Sequence, residues 1–160
     1  MHLSKAGGDH MHTMHYHHLL FMFVLSFISM YLLMYAMVDS FANVFMSFNQ
    51  FYMAGLMIAP MVIIEIVVMG AVYANKRLNM IIIAGSLIVL AALFFFIRQQ
   101  TLIGDAQFLR SMIPHHAGAV LMCQKASIQD REIKELCRTI ILGQQAEIDQ
   151  MKAKLDGLDR

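Results

Sequence analysis

Three long apolar stretches dominate the first hundred residues of the chain, and short polar segments separate them. Residues 19–38 and 80–97 carry no charged side chain, and residues 51–74 carry one, Glu65. About 20 apolar residues are enough for an α-helix to cross a bilayer. The pattern therefore predicts three transmembrane helices, which together form a membrane domain over residues 19–97.

After residue 97 the pattern changes to that of amphipathic helices. Apolar residues recur every three or four positions at about 101–125 and again at about 130–155, a spacing that puts them on one face of a helix. Ser127 or Asp130 can cap the start of the second helix through its side-chain oxygen. Because only a short segment joins the two helices, the pattern predicts an antiparallel hairpin.

Three stripes of side chains are expected to face the inside of this hairpin. The first helix contributes two neighbouring stripes, which make its apolar face broad, and the second helix contributes one. Their members are Phe108, Met112, His115, Ala119 and Met122; Leu109, Ile113, His116, Val120 and Cys123; and Ile133, Cys137, Ile140, Gln144, Glu147 and Met151.

The predicted fold class is all-α, with three transmembrane helices followed by the C-terminal hairpin. A two-helix piece of roughly 60 residues rarely supplies enough core to be stable by itself. We therefore expect two hairpins to pair into a four-helix bundle, which makes the protein a homo-oligomer, at least a dimer. The predicted domains are a His/Met-rich segment at 1–18, the membrane domain at 19–97 and the hairpin at 98–160.

Composition agrees with a membrane protein and argues against a nucleic-acid partner. Hydrophobic residues make up 59% of the chain and charged residues 14%, whereas soluble domains have about 45–50% and about 25%. The formal net charge is only +1, and nucleic-acid binding favours a strongly basic surface. Membrane lipid is the partner that this composition predicts.

The basic residues predict an orientation in the membrane. The first apolar stretch is longer than the apolar region of an ordinary signal peptide, and the residues before it are rich in histidine rather than basic. We therefore expect this segment to be retained. Lys76 and Arg77 lie in the shortest loop, and such loops are usually cytoplasmic. With three spans, the N-terminus is then cytoplasmic and the hairpin extracytoplasmic. The predicted location is the inner (cytoplasmic) membrane of a bacterium, with the hairpin in the periplasm.

The hairpin gathers side chains that favour copper. Thioether and imidazole donors select copper, above all Cu(I), whereas zinc gains little from methionine. Packing explains these residues equally well, because methionine on an apolar stripe is normally core filler and a buried histidine is often hydrogen-bonded. On the residues alone both interpretations stay open. The candidate ligands of Cu(I) or Cu(II) are Met112, His115, His116, Met122, Glu147 and Met151.

Two further groups of residues are candidate copper ligands. Cys123 and Cys137 come close together when the hairpin folds, either as a disulfide or as a thiol pair that binds Cu(I). The N-terminal segment is rich in histidine and methionine, a composition that binds metal with little defined geometry, and its histidines are too interrupted for a purification tag. Its candidate ligands are His10, His12, His15, His17 and His18.

Glu65 is the one ionisable residue inside a predicted span. A carboxyl group there is costly and usually faces a partner, the bundle interior or water. It is a candidate functional group, and the alternative is a neutral, hydrogen-bonded acid that helps helices associate. Met53, Met57, Met61 and Met69 flank it at intervals of four, and packing is the simpler explanation of that row.

The hairpin resembles the CopM-type copper-binding family, a domain-of-unknown-function group with ferritin-like helical bundles. The resemblance is carried by "FLRSMIPHHAGAVLM" and "ILGQQAEIDQMKAKL" over residues 105–155. It implies periplasmic copper binding in metal homeostasis or resistance. The chain departs from the family in having one hairpin rather than a tandem pair, which favours dimers. It also adds three spans, which argues against a soluble carrier.

The expected function is therefore copper binding by a membrane-anchored protein, without catalysis, and with possible transfer to a copper-exchange partner. The alternative is transport, because three spans and a Met-x-x-x-Met row also resemble the Ctr-type copper channels. A third interpretation is a structural helix-oligomerising unit that binds no metal. A di-iron oxidase is excluded by the residues, since no Glu-x-x-His pair occurs in the hairpin.

Overall fold

In a computed structural model the chain is entirely helical over the residues that the structure describes. These are residues 4–158 for the backbone and 15–158 for the side chains. Two short 3-10 turns, Met34–Met37 and Phe41–Asn43, follow the first helix. The α-helices are α1 Ser4–Leu33, α2 Phe48–Val68, α3 Lys76–Gln99, α4 Asp105–Lys125 and α5 Arg131–Leu158.

The predicted spans and hairpin helices are confirmed, with shifted ends. Among the described residues, three helical segments are long and apolar enough to cross a membrane: His15–Met37, Phe48–Val68 and Lys76–Gln99. The second ends earlier than its apolar run, because the chain turns at residues 69–72. In the hairpin, α4 begins about four residues later than predicted, at Asp105, and α5 ends three residues later than predicted, at Leu158.

The chain divides into two compact units. The first consists of Met1–Tyr31 and Phe51–Thr101, and the second of Leu32–Gln50 and Leu102–Arg160. The hairpin thus shares its unit with the segment that joins the first two spans. That association is not evident from the hydrophobic pattern, which treats the segment as a connection between spans.

In the first unit, α2 supplies most of the buried surface. Apart from Tyr52, its buried residues are small or β-branched, and they include Ala54, Ile58 and Ala59, each less than 4% exposed. Gly55 allows a close approach, because an ideal Cβ at this position would lie 2.6 Å from Cδ1 of Leu93. Small residues are typical of interfaces between membrane helices, where they let backbones come close together.

Hydrogen bonds between polar side chains connect α1 to the start of α3 and to the turn before it. The Tyr16 hydroxyl donates to Oδ1 of Asn79 at 2.7 Å, and the Asn79 amide donates to the Tyr73 carbonyl at 2.8 Å. Asn75 caps α3, since its side-chain oxygen accepts from the Leu78 amide at 3.1 Å. Buried polar groups are costly unless they are hydrogen-bonded, and here Asn79 is paired on both its oxygen and its nitrogen.

In the second unit, α4 and α5 form an antiparallel hairpin around a narrow apolar core. Ile113 and Ala117 of α4 and Ile148 of α5 are fully buried. Asp130 is the residue that caps α5, because its carboxylate accepts from the Ile133 amide at 2.9 Å. Residues 126–130 complete the connection between the two helices.

The predicted stripes are only partly correct. On α4 the buried residues Ile113 and Val120 belong to the predicted stripe that begins at Leu109. On α5 the buried residues are Ile148 and Leu155. The first α4 stripe lies away from this core: Phe108 and Met122 are each about half exposed. Two neighbouring stripes satisfy the same periodicity, and only the position of the partner helix decides which one is buried.

We predict that Ile148→Ala lowers the free energy of unfolding of the second unit by about 2–5 kcal/mol, because it leaves a cavity at a fully buried position. Leu142→Ala, at a position that is 74% exposed, should change it by no more than about 0.5 kcal/mol. Urea denaturation followed by circular dichroism measures both. Equal effects of the two substitutions would contradict the packing described here.

Candidate metal site

The relative register of α4 and α5 is set near the loop by a disulfide. Cys123 and Cys137 are bonded, with their Cα atoms 5.1 Å apart. The sequence left two states open for this pair, and the structure contains the bridged one. In this state neither sulfur is a thiolate, which is the form of cysteine that binds metal.

Further from the loop, the same register brings His116 of α4 against Glu147 of α5. Nδ1 of His116 lies 3.0 Å from Oε2 of Glu147, and the His116 side chain is only 13% exposed. The approach has the distance of a hydrogen bond but not its angles, since Nδ1 has no hydrogen-bond partner. A carboxylate this close to an imidazole nitrogen restricts the orientation of the ring.

Met112 and Met151 lie one turn further from the loop on their respective helices. Each is four residues beyond the contact between His116 and Glu147, so the antiparallel register puts them at the same level. Both are partly buried, and Met151 packs against the hairpin core. The seam, defined as Met112, His116, Glu147 and Met151, thus consists of one observed contact, between His116 and Glu147, and two thioethers that the register places one turn further from the loop.

His115 and Met122 are not part of the seam. His115 is exposed, and its nearest described ring is that of His116, 5.9 Å away between centroids at an interplanar angle of 60°. Met122 is about half exposed, two turns from His115 on the same side of α4. Of the six predicted hairpin ligands, the structure therefore brings His116 and Glu147 into contact, and the register places Met112 and Met151 one turn further on. His115 and Met122 are exposed.

Among the side chains of residues 15–158, no three from His, Cys, Asp and Glu converge as a ready metal cluster. Methionine sulfur is outside that set of donors, so a soft site made of methionine and histidine has to be judged from the seam itself. His116 and Glu147 supply nitrogen and oxygen there, and Met112 and Met151 add the two sulfurs. This donor set fits copper better than zinc.

The N-terminal candidates are described only in part. The side chains of His10 and His12 lie outside the described residues. His15 is partly buried, and His17 and His18 are exposed at the start of the first span. The helix thus carries His15 and His18, three residues apart, on adjacent positions of one face.

Glu65 is partly buried in α2 and accepts a hydrogen bond from the Tyr73 hydroxyl at 3.3 Å. The ring of Tyr73 also packs against Tyr16, with centroids 5.3 Å apart. Sequence reasoning singled out Glu65 and missed Tyr16, Tyr73 and Asn79. The one signal for them is the polar turn "NKRLN", whose last residue is Asn79.

The sequence of the hairpin matches a known domain family. Residues 99–155 match DUF305, a domain of unknown function, and this range contains α4 and all but the last three residues of α5. The class that fold and site define is thus a DUF305-type helical hairpin joined to three helices apolar enough to span a membrane.

A relative extends this similarity to most of the chain. The uncharacterized protein L153 of Acanthamoeba polyphaga mimivirus is 32% identical over 141 residues, which cover 86% of this chain and 91% of the viral protein. The chain therefore belongs to the family of that viral protein. No solved structure matches the chain significantly.

We predict that the purified, denatured protein has no reactive thiol until reductant is added, and two thiols afterwards, because Cys123 and Cys137 are bonded. Reduction should also lower the free energy of unfolding of the second unit by about 3 kcal/mol, the loop-closure contribution expected for a bridge between residues 14 apart. Ellman titration and urea denaturation measure the two effects. The Cys123→Ser, Cys137→Ser protein is the control, and its unfolding should not respond to reductant.

Proposed function

We propose that this is a membrane-anchored copper-binding protein of metal homeostasis or resistance, with the seam of the hairpin as its copper site. The observation that carries the proposal is the alignment of Met112, His116, Glu147 and Met151 across two antiparallel helices. Thioether and imidazole together are the donors that select copper over zinc and magnesium. The resemblance to the CopM-type family, whose range coincides with the DUF305 match, supports the same assignment.

The proposed activity is binding and transfer rather than catalysis. Soft sulfur donors exchange Cu(I) readily, because copper can pass between thioethers without losing all of its ligands at once. His116 would supply a nitrogen donor, and Glu147 would orient the ring through its contact at 3.0 Å. The expected partners are membrane lipid, a second copy of the chain and a copper-exchange protein.

The proposed location is the bacterial inner membrane, with the N-terminus cytoplasmic and the hairpin periplasmic. Lys76 and Arg77 at the start of α3 support a cytoplasmic turn between α2 and α3. The bond between Cys123 and Cys137 supports an oxidising compartment for the hairpin, because the cytosol keeps thiols reduced. The two arguments are independent and give the same orientation.

Transport is the second candidate, and one observation favours it. Met53, Met57 and Met61 lie on the outer face of α2, between 39% and 48% exposed. A row of thioethers on the outside of the first unit could line a copper path only between copies of the chain. Copper flux into proteoliposomes would favour this candidate, whereas stoichiometric binding without flux favours the anchored binder.

We predict that His115→Ala with His116→Ala lowers the copper affinity of the full chain in detergent by at least about tenfold, since loss of even an outer-shell partner has that effect. Competition with a Cu(I) chelator gives the affinity, and X-ray absorption should show fewer nitrogen neighbours. Gln124→Ala with Gln129→Ala, two exposed positions of the same unit, is the matched control. If the histidine variant binds copper as tightly as the unsubstituted protein, the hairpin is not the copper site.

Topology gives a separate prediction. A single cysteine introduced at Gln129, in the α4–α5 loop, should react with a membrane-impermeant maleimide added outside intact cells. A cysteine at Ala74, in the α2–α3 turn, should react only after the membrane is permeabilised. Both positions are exposed, and the two native cysteines are bonded to each other. The reverse pattern of labelling would overturn the proposed orientation.

A further inference from the structure

The segment that joins the first two spans has polar side chains inside and large apolar side chains outside. Within residues 38–47, which we name the interspan segment, Asn43 and Ser47 are less than 5% exposed. Phe41 is 92% exposed and Met46 is 66% exposed. A surface loop in water normally has the reverse arrangement, so a buried polar group beside an exposed large apolar one is informative.

Hydrogen bonds within the same unit hold the polar groups of the interspan segment inside. The Asn43 amide donates to the Asp39 carboxylate at 2.6 Å, and the Tyr35 hydroxyl donates to the Phe45 carbonyl at 2.9 Å. Asp39 is the one charged residue between positions 32 and 50. Because burying polar groups is costly unless they are hydrogen-bonded, these bonds stabilise a conformation that leaves Phe41 on the outside.

The length of the chain keeps the interspan segment close to the bilayer. The first candidate span ends at Met37 and the second begins at Phe48. Since a chain advances at most about 3.6 Å per residue, Phe41 lies within about 14 Å of the end of one span, and Met46 lies within about 7 Å of the start of the other. The interfacial layer on each side of a bilayer is about 5–7 Å thick. In a membrane-embedded chain, Met46 is therefore in or next to this layer, and Phe41 is within reach of it.

The hairpin packs directly on the two ends of the interspan segment. An ideal Cβ on Gly118 of α4 would lie 3.5 Å from the Met37 carbonyl oxygen, so the two backbones are close. The Phe48 amide donates to Oε1 of Gln107 at 3.0 Å. Helix α4 thus contacts the last residue of one candidate span and the first residue of the next, without an intervening linker.

We propose that the interspan segment is a lipid-binding surface in addition to the spans, with Phe41 and Met46 inserted at the level of the lipid headgroups and the first acyl carbons. Phenylalanine and other apolar side chains of interfacial segments enter a bilayer to about this depth. Lipid is the occupant that fits, because both ends of the segment continue into spans, so that lipid is within reach of Phe41 in every copy.

Insertion of this kind depends on apolar contact and not on attraction to anionic headgroups. Residues 32–50 contain no lysine, arginine or histidine, whereas electrostatic binding to anionic lipids needs clusters of basic residues. The segment would hold the hairpin at the membrane surface, where a copper-exchange partner would have to meet it. This inference rests on the membrane anchoring of the proposed function and is independent of copper binding.

Tryptophan fluorescence tests the insertion, because the chain contains no tryptophan. The full chain with Phe41→Trp, reconstituted into liposomes, should emit at a shorter wavelength than tryptophan in water. Lipids brominated near the headgroup end of the acyl chain should remove most of this emission, and lipids brominated near the methyl end should remove less. Met46→Trp is a second reporter with the same expected result. Both leaflets carry the brominated lipid, so the direction in which the protein inserts does not affect the measurement.

Two control positions calibrate the depth. Ile88→Trp lies in the middle of α3 and replaces a side chain that is 70% exposed, and it should be quenched most by bromine near the methyl end. Leu142→Trp lies on α5 of the hairpin, at a position that is 74% exposed. It should be quenched by acrylamide in the water and little by either brominated lipid. Anionic lipid in place of neutral lipid should leave all four results unchanged.

A charge in the interspan segment gives a second test. In the Met46→Trp background, Phe41→Asp should shift the emission to longer wavelength and reduce the quenching by shallow bromine, because a carboxylate opposes insertion. Phe41 is almost fully exposed, so this substitution should not disturb the fold. Leu142→Asp in the same background is the matched control and should change neither quantity.

The outcomes separate this inference from the anchoring on which it rests. If only Ile88→Trp is quenched by brominated lipid, while Phe41→Trp and Met46→Trp respond to acrylamide, the inference is wrong and the anchoring stands. If Ile88→Trp is not quenched by brominated lipid, both are wrong. Short-wavelength emission from Phe41→Trp without quenching by lipid means that protein covers the segment, which overturns lipid as its occupant. Quenching of Leu142→Trp as strong as that of Phe41→Trp also overturns the inference, because another surface of the hairpin then lies on the lipid.

Discussion

The antiparallel packing of α4 on α5 is the constraint on which the candidate site depends. Ile113 and Ile148 are fully buried between the helices, and the bond between Cys123 and Cys137 fixes the register at the loop end. With both constraints in place, the helices cannot slide by a turn without breaking the bridge or exposing the core. The distance of 3.0 Å between His116 and Glu147 is a consequence of that register.

The same packing divides the methionines and histidines into two groups with different environments. Side chains near the line of contact, such as His116 and Met151, are partly buried. Those on the neighbouring stripe, such as His115 and Met122, are exposed. In the proposed copper site, donors of the first group would lose less conformational freedom on binding a metal than donors of the second.

The two units differ in where their apolar side chains lie and in how their cores are completed. The first unit keeps large apolar side chains on its outside, which suits helices surrounded by lipid, and pairs its buried polar groups, such as Asn79, within itself. The second unit has a narrow core that is supplemented by the segment between the first two spans. A small core of this kind contributes little stability, so the disulfide has more effect here than in a large domain.

The sequence by itself determined the helical class, the three apolar spans and the hairpin, because each depends on local periodicity or length. It offered Ser127 or Asp130 as the cap of α5, and the structure selected Asp130. It also predicted that His116 and Glu147 lie on facing stripes of the hairpin, and the structure brings these two side chains into contact. Only the tertiary structure decided which of two adjacent stripes on α4 is buried, that the connecting segment covers Gly118, and that Tyr16 and Asn79 are bonded. These features depend on where a distant element packs, and a period of three to four residues cannot decide which of two stripes about 100° apart on the same helix is buried.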